Sequence, residues 1–188
     1  MFSKAIVIAI SAIALLVTGC TTTAPVTKNS AERRQSIDAN VERELAQLYA
    51  QIPSSRELVS KARGVLVFPG VISAGFVVGG SYGEGALREG GRNAGYYSTA
   101  ALSAGLLIGA DSKAIFVLFM TQEALNQFKA SNGWTAGADA SVTMVSLGAS
   151  VNIDTLTARS PVIGFVLSNG GLMANLALDG TKVTRLNL

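Results

Sequence analysis

Ser73-Ala-Gly-Phe-Val-Val-Gly-Gly-Ser-Tyr-Gly-Glu-Gly-Ala-Leu87 is the stretch on which the fold reading turns. Its residues alternate with the two-residue period of a strand. One face takes Ala74, Phe76, Val78, Gly80 and Tyr82. The other takes Gly75, Val77, Gly79, Ser81, Gly83 and Gly85. A strand glycine marks a bulge or a close backbone approach, because it leaves no side chain to pack. The stretch predicts one bent strand with a neighbour pressed on its glycine face. Glu89-Gly-Gly-Arg92 reads as a turn. Ala94 to Ala110 reads as a second strand, with Tyr97, Thr99, Ala101 and Ser103 on one face. The two strands are expected to pair, with a helix packed on their small-residue face.

Upstream, Ile37, Val41, Leu45, Leu48 and Ile52 are spaced to share one helix face, predicting a helix from Ala31 to Ile52 with Ser30 as its N-cap. Its other faces mix acidic and basic residues, unlike the basic helices that lie in anionic membranes. Docking on its own domain and insertion into a bilayer both remain open for it. Pro53 ends this helix. Ser54 and Glu57 then form a capping-box pattern for a short helix to about Ala62. Gly64 to Pro69 reads as a buried strand stopped by proline.

Downstream, Lys113 to Met120 is apolar on both faces after its first residue, the mark of a central strand covered on both sides. Thr121 caps a helix to about Ala130 with Leu125 and Phe128 inward, closed by Ser131-Asn-Gly133. Thr135 to Ile153 reads as a small-residue strand region and Asp154 to Pro161 as a loop. Val162 to Leu167 is a strand, Ser168 to Gly171 a turn, and Leu172 to Leu178 its hairpin partner. Asp179-Gly180 leads into a last strand, Lys182 to Leu188. The fold class is α+β: a largely antiparallel sheet with helices at the start and one in the middle.

The composition narrows the function. Of 188 residues, 49% are hydrophobic and 14% charged, so the chain can bury a core. No run of Lys or Arg marks a nucleic-acid footprint. Histidine is absent and Cys20 is the only cysteine. Without imidazole or a second thiol, the common hydrolase triads and Cys/His zinc sites are excluded. Gly79 to Gly85 is no phosphate loop, because no Gly-Lys-Ser/Thr follows Gly80 and Arg88 stands where a dinucleotide fingerprint starting at Gly83 needs glycine. Glu84, Asp111 and Asp139 share no spacing that ties them into an acid–base site. Trp134 is expected in the core or at its rim. Tyr96 and Tyr97 must point to opposite faces. Neither a cofactor nor a metal nor catalysis is expected.

At the N-terminus, Lys4 precedes an apolar run, Ala5 to Val17, that is too short to span a bilayer, which takes about 20 residues. Val17-Thr-Gly-Cys20 resembles a bacterial lipobox, whose cysteine becomes the diacylglyceryl-bearing first residue. Residues 1–19 are thus expected to be a signal peptide, 20–30 a flexible tether and 31–188 the domain. Thr21 stands where aspartate would mark inner-membrane retention, so the expected location is the bacterial envelope, at the outer membrane.

Eight blocks resemble the SYLF domain in order. They are Lys61-Ala-Arg-Gly-Val-Leu-Val-Phe-Pro69, Gly79-Gly-Ser-Tyr-Gly-Glu-Gly85, Tyr96-Tyr97, Phe119-Met-Thr121 with Ala124-Leu125, Gly133-Trp134, Asp139-Ala-Ser141, Ser168-Asn-Gly-Gly-Leu-Met173 and Leu178-Asp-Gly-Thr-Lys182. The resemblance covers about Glu57 to Leu188. It implies non-catalytic lipid binding: eukaryotic members bind phosphoinositide-containing membranes, some bind actin filaments, and an amphipathic segment ahead of the domain aids insertion. Here that segment would be Ala31 to Ile52. The partners implied are membrane phospholipids with anionic or phosphoinositide-like headgroups, beside the covalent lipid at Cys20. The basic residues in or beside the blocks, Lys61, Arg63, Lys113, Lys182 and Arg185, are the candidate phosphate contacts. The alternative is an envelope protein that binds a protein partner through its sheet face.

Overall fold

Helix α1, Ser30–Gln51, lays Ile37, Val41, Leu45 and Leu48 into the core at the predicted spacing. The computed structural model describes residues 29–75, 78–104, 109–145, 160–168, 171–172, 178 and 180–188. The signal peptide, Cys20 and the tether up to residue 28 lie outside the described residues. So do most of the expected 154–161 loop, residues 173–177 of the expected hairpin partner, and Asp179. The N-cap of α1 is Asn29 rather than Ser30: its side chain accepts a 2.8 Å hydrogen bond from the Glu32 amide. Helix α2 is Ser55–Lys61. Its expected capping box does not form, and Ser54 makes no side-chain cap. The buried Ser55 hydroxyl instead donates to the Ile52 carbonyl, tying the two helices end to end.

Strands β1 (Gly64–Gly75), β2 (Val78–Glu89), β3 (Arg92–Ala104) and β4 (Gly109–Phe119) precede helix α3, Gln122–Ala130. Short strands β5 (Trp134–Thr135) and β6 (Thr143–Met144) follow, then β7 (Val162–Ser168), β8 (Gly171–Leu172) and β9 (Lys182–Leu186). They join one sheet in the order β5-β9-β3-β2-β1-β4-β7-β6, with β8 beside β7. Every pairing between these strands is antiparallel except β6 with β7. The α+β class therefore holds. The central position of the 113–120 strand also holds, since β4 lies between β1 and β7 and is buried from Ala114 to Phe119. Thr121 caps α3 as expected, accepting from the Ala124 amide.

The glycine-rich stretch divides differently. Ser73–Gly75 closes β1 and Val78–Leu87 belongs to β2, so the predicted single strand is two, paired Gly75 to Gly79. Likewise 94–110 is split between β3 and β4. Alternation runs in phase on both sides of a tight reversal, so periodicity cannot see it. Pro69 does not stop β1. Four β1 residues, 68–71, stand opposite three of β2, 83–85, between the Val67–Ala86 and Ile72–Tyr82 pairs. The proline sits at a bulge, where a missing amide is tolerated. The 135–153 region holds only β5 and β6 among its described residues. Gly90 and Gly91, at φ 56° and 78°, make the predicted turn into β3.

The sheet separates two apolar clusters. On one face α1 and α2 cover Val65, Val67, Ala86, Phe116, Leu118 and Phe165. On the other, α3 covers Leu66, Phe68, Leu87, Tyr97, Phe119 and Val166, with Trp134 3% exposed among them. Beta2 and β3 pair as expected. On their small-residue face α3 reaches only one end, at Leu87 and Tyr97; over Gly83 and Gly85 β1's own bulge fills the space, and α1 lies on the opposite face.

Candidate functional site

Helix α1 is fastened to the sheet by polar pairs as well as by its apolar face. Arg33 meets Glu84 at 2.6 Å, Asp38 accepts from Asn93 and Tyr96, and Arg88 pairs with Glu42 at 2.8 Å. Its apolar stripe is already spent on the core, so the segment the resemblance assigned to insertion is docked on its own domain.

That docking ends at Glu84. Beyond it the same face of β1, β2 and β3 continues uncovered. Directly opposed residues of paired strands share a face. One row is Ile72, Tyr82, Ala100 and Lys182, and the next is Ala74, Gly80 and Leu102. Ile72, Tyr82 and Leu102 are 60%, 53% and 89% exposed, while Ser73 and Thr99 on the same strands are buried. These rows line an open apolar groove of about 740 Å³ with Lys182 at its rim. Three large apolar side chains side by side in water are informative in a way that one is not. Tyr82 fixes the boundary with the helix by donating its hydroxyl to Glu84 at 2.9 Å.

The five basic candidates do not converge. Lys182 alone among them lines the apolar groove. Lys61 ends α2 and pairs with Glu57 at 2.9 Å. Arg63 follows it, and its amide donates to the Phe119 carbonyl. Lys113 lines a small polar pocket of about 100 Å³ with Glu44, Ser112 and Ser168. Burial lifts the Glu44 carboxyl above its usual range, and Arg43 opposes the rise. Arg185 stands on β9 opposite Tyr97. Sequence reasoning missed Ile72 and Leu102, and it read Tyr82 only as a strand residue. Their exposure is a property of the neighbouring strands. A second groove, of about 560 Å³, lies between α1, α2 and the β2–β3 turn. Arg88 there is committed to Glu42 and Asp38, and Arg56 stacks on Tyr49.

The carboxylates take separate settings. Glu84 holds Arg33 and Tyr82, Asp139 accepts from the Thr135 amide at 2.6 Å, and Asp111 is exposed on β4 opposite Ser73. Tyr96 and Tyr97 do face opposite ways, toward Asp38 and toward Phe128.

Residues 100–187 match the family model described as Ysc84: Las17-binding protein actin regulator. Over these residues the chain is similar to the SYLF domain. The match begins within β3 and ends one residue before Leu188, so it takes in Leu102, α3, Trp134 and Lys182. Ile72 and Tyr82 precede the matched span, as do the blocks from Lys61 to Tyr97, and the structure pairs them with it through β1–β4 and β2–β3. The family is associated with lipid or protein binding. Comparison with curated proteins finds no match.

All four tyrosines bear on pH stability. Burial is the leading cause that lifts the phenols of Tyr49, Tyr82, Tyr96 and Tyr97 above their ordinary value, with hydrogen bonds to Glu84 and Asp38 adding to Tyr82 and Tyr96. Above a pH of about 10 the unfolded chain releases phenol protons that the folded protein retains, so stability falls as pH rises. The urea midpoint should drop between about pH 9 and about pH 11. The phenolate absorbance of the native protein should also titrate later than that of the denatured protein.

Proposed function

We propose that this protein is a non-catalytic phospholipid-binding SYLF protein held in the bacterial envelope by a lipid on Cys20, at the outer membrane. The observation that carries the binding function is the uncovered apolar groove of Ile72, Tyr82 and Leu102 with a cation, Lys182, at its rim. Acyl chains fit the apolar floor and a phosphate fits the ammonium, which can extend on its apolar stem to the polar boundary. The family match supports the reading, and so does the lipobox-like Val17-Thr-Gly-Cys20. Two or three acyl chains at Cys20 would make a durable anchor, since each buried methylene contributes about 0.8 kcal/mol.

The test is co-sedimentation of residues 29–188, which lack Cys20, with neutral and anionic vesicles at two salt concentrations. Anionic vesicles should retain the domain more strongly, and salt should weaken the difference. Lys182→Ala should reduce binding to anionic vesicles about threefold to fivefold, since one basic residue near an anionic surface is worth about 1 kcal/mol. Lys61→Ala, with Lys61 outside the groove, should change it little. No binding to any vesicle would remove the phospholipid reading and leave a protein partner as the function of the exposed face.

A further inference from the structure

We infer that the open end of the sheet is the surface by which the domain enters a bilayer, with α1 remaining docked behind it. This rests on the phospholipid reading and adds the occupant: the interfacial layer of an intact membrane. Three observations carry it. First, Ile72, Tyr82 and Leu102 project from three adjacent strands at one end of the molecule, on a face whose remainder α1 covers.

Second, the polarity suits a bilayer edge. Tyr82 presents a ring to the apolar side and a hydroxyl to Glu84, and Lys182 stands at the rim. Aromatic residues with a polar tip and long basic side chains favour that depth.

Third, the chain arrives from the same side. Arg33, in the first turns of α1, pairs with Glu84, and Glu84 also holds Tyr82. The nine-residue step from Cys20 to Asn29 spans at most about 30 Å when extended. A lipid on Cys20 therefore keeps this end of the sheet against the membrane. Apolar contact that binds measurably but weakly by itself gains from the raised local concentration.

The test uses the full chain reconstituted into vesicles containing phospholipids brominated at shallow or deep acyl positions, with attachment verified by co-flotation. Leu102→Trp is compared with the parent protein, whose Trp134 is buried in the opposite core and gives a constant background. Arg92→Trp, at the far end of β3, is the control. The added emission of Leu102→Trp should be quenched by at least half, and that of Arg92→Trp should be unaffected. In residues 29–188, Leu102→Asp should weaken vesicle binding about tenfold with an unchanged thermal midpoint, because its side chain is solvent-exposed.

If residues 29–188 bind vesicles but Leu102→Trp is as unquenched as Arg92→Trp, the insertion surface is wrong and the phospholipid reading stands. If the domain neither binds nor is quenched, both fall. A lipid-free dimer that Leu102→Asp dissociates would overturn the inference, making a second copy the occupant.

Discussion

Gly85→Ala should destabilise the domain by at least about 3 kcal/mol, the largest effect expected of any single methyl group added to it. A Cβ at Gly85 would stand 2.0 Å from the Val67 carbonyl oxygen and 2.8 Å from Phe68 Cδ1. The first of these is backbone, at the edge of the β1 bulge, and cannot rotate away. Relief requires moving β1, which is hydrogen-bonded to β2 and β4 on both sides. At Gly83 the nearest atom is a Val71 methyl at 2.8 Å, with the Gly70 carbonyl and Val71 Cα at 3.0 Å, so Gly83→Ala should cost less. Gly80→Ala meets only the Ala101 carbonyl at 3.8 Å and should fall within about 0.5 kcal/mol of the parent. Urea unfolding followed by Trp134 fluorescence measures all three. At this domain size the Gly85→Ala loss corresponds to a midpoint drop of about 6–12 °C. A Gly85→Ala protein as stable as the parent would show that the bulge does not lie over this glycine.

Phe128→Ala should cost about 3–5 kcal/mol. Phe128 is 2% exposed and its ring lies 4.7 Å from Phe119, 5.0 Å from Tyr97 and 5.7 Å from Trp134. Truncation removes all three ring contacts and opens a cavity in a close-packed cluster. The position is also the inward anchor of α3. A nine-residue helix is marginal in water by itself, so its stability comes from docking. Two signals should appear together: a lower urea midpoint, and a native-state red shift of Trp134 as solvent reaches the space beside the indole. The exposed Lys129–Glu89 pair, at 2.8 Å, contributes little to holding the helix. A variant that loses stability with unshifted emission would mean that the cavity collapses around the indole.

The two variants test opposite demands on one sheet face. Gly85 works by having no side chain where a strand crosses close, and Phe128 by filling the space where a helix stands off. The same face carries both because the β1 bulge supplies Phe68 and Val71 as a lid over Gly83 and Gly85.

The amino-acid sequence by itself determined the elements whose cause is local. The 3.6-residue spacing of Ile37, Val41, Leu45 and Leu48 placed α1 and its buried stripe. Thr121 with Leu125 and Phe128 placed α3, the two-faced apolar run placed β4 in the sheet centre, and Gly90-Gly91 placed a turn. The absence of histidine and the lone Cys20 removed whole classes of site chemistry from consideration. The SYLF blocks within residues 100–187 were legible too, and the family match covers them. Only the tertiary structure decided that Pro69 marks a bulge, that β1's own backbone covers the glycine face, and that the five basic candidates scatter with Lys182 alone at the groove. The exposure of Ile72, Tyr82 and Leu102 was likewise invisible. Each is an ordinary strand residue in its own segment. What leaves it uncovered is where α1, far away in sequence, stops on the sheet, and the pairing of distant strands sets that endpoint.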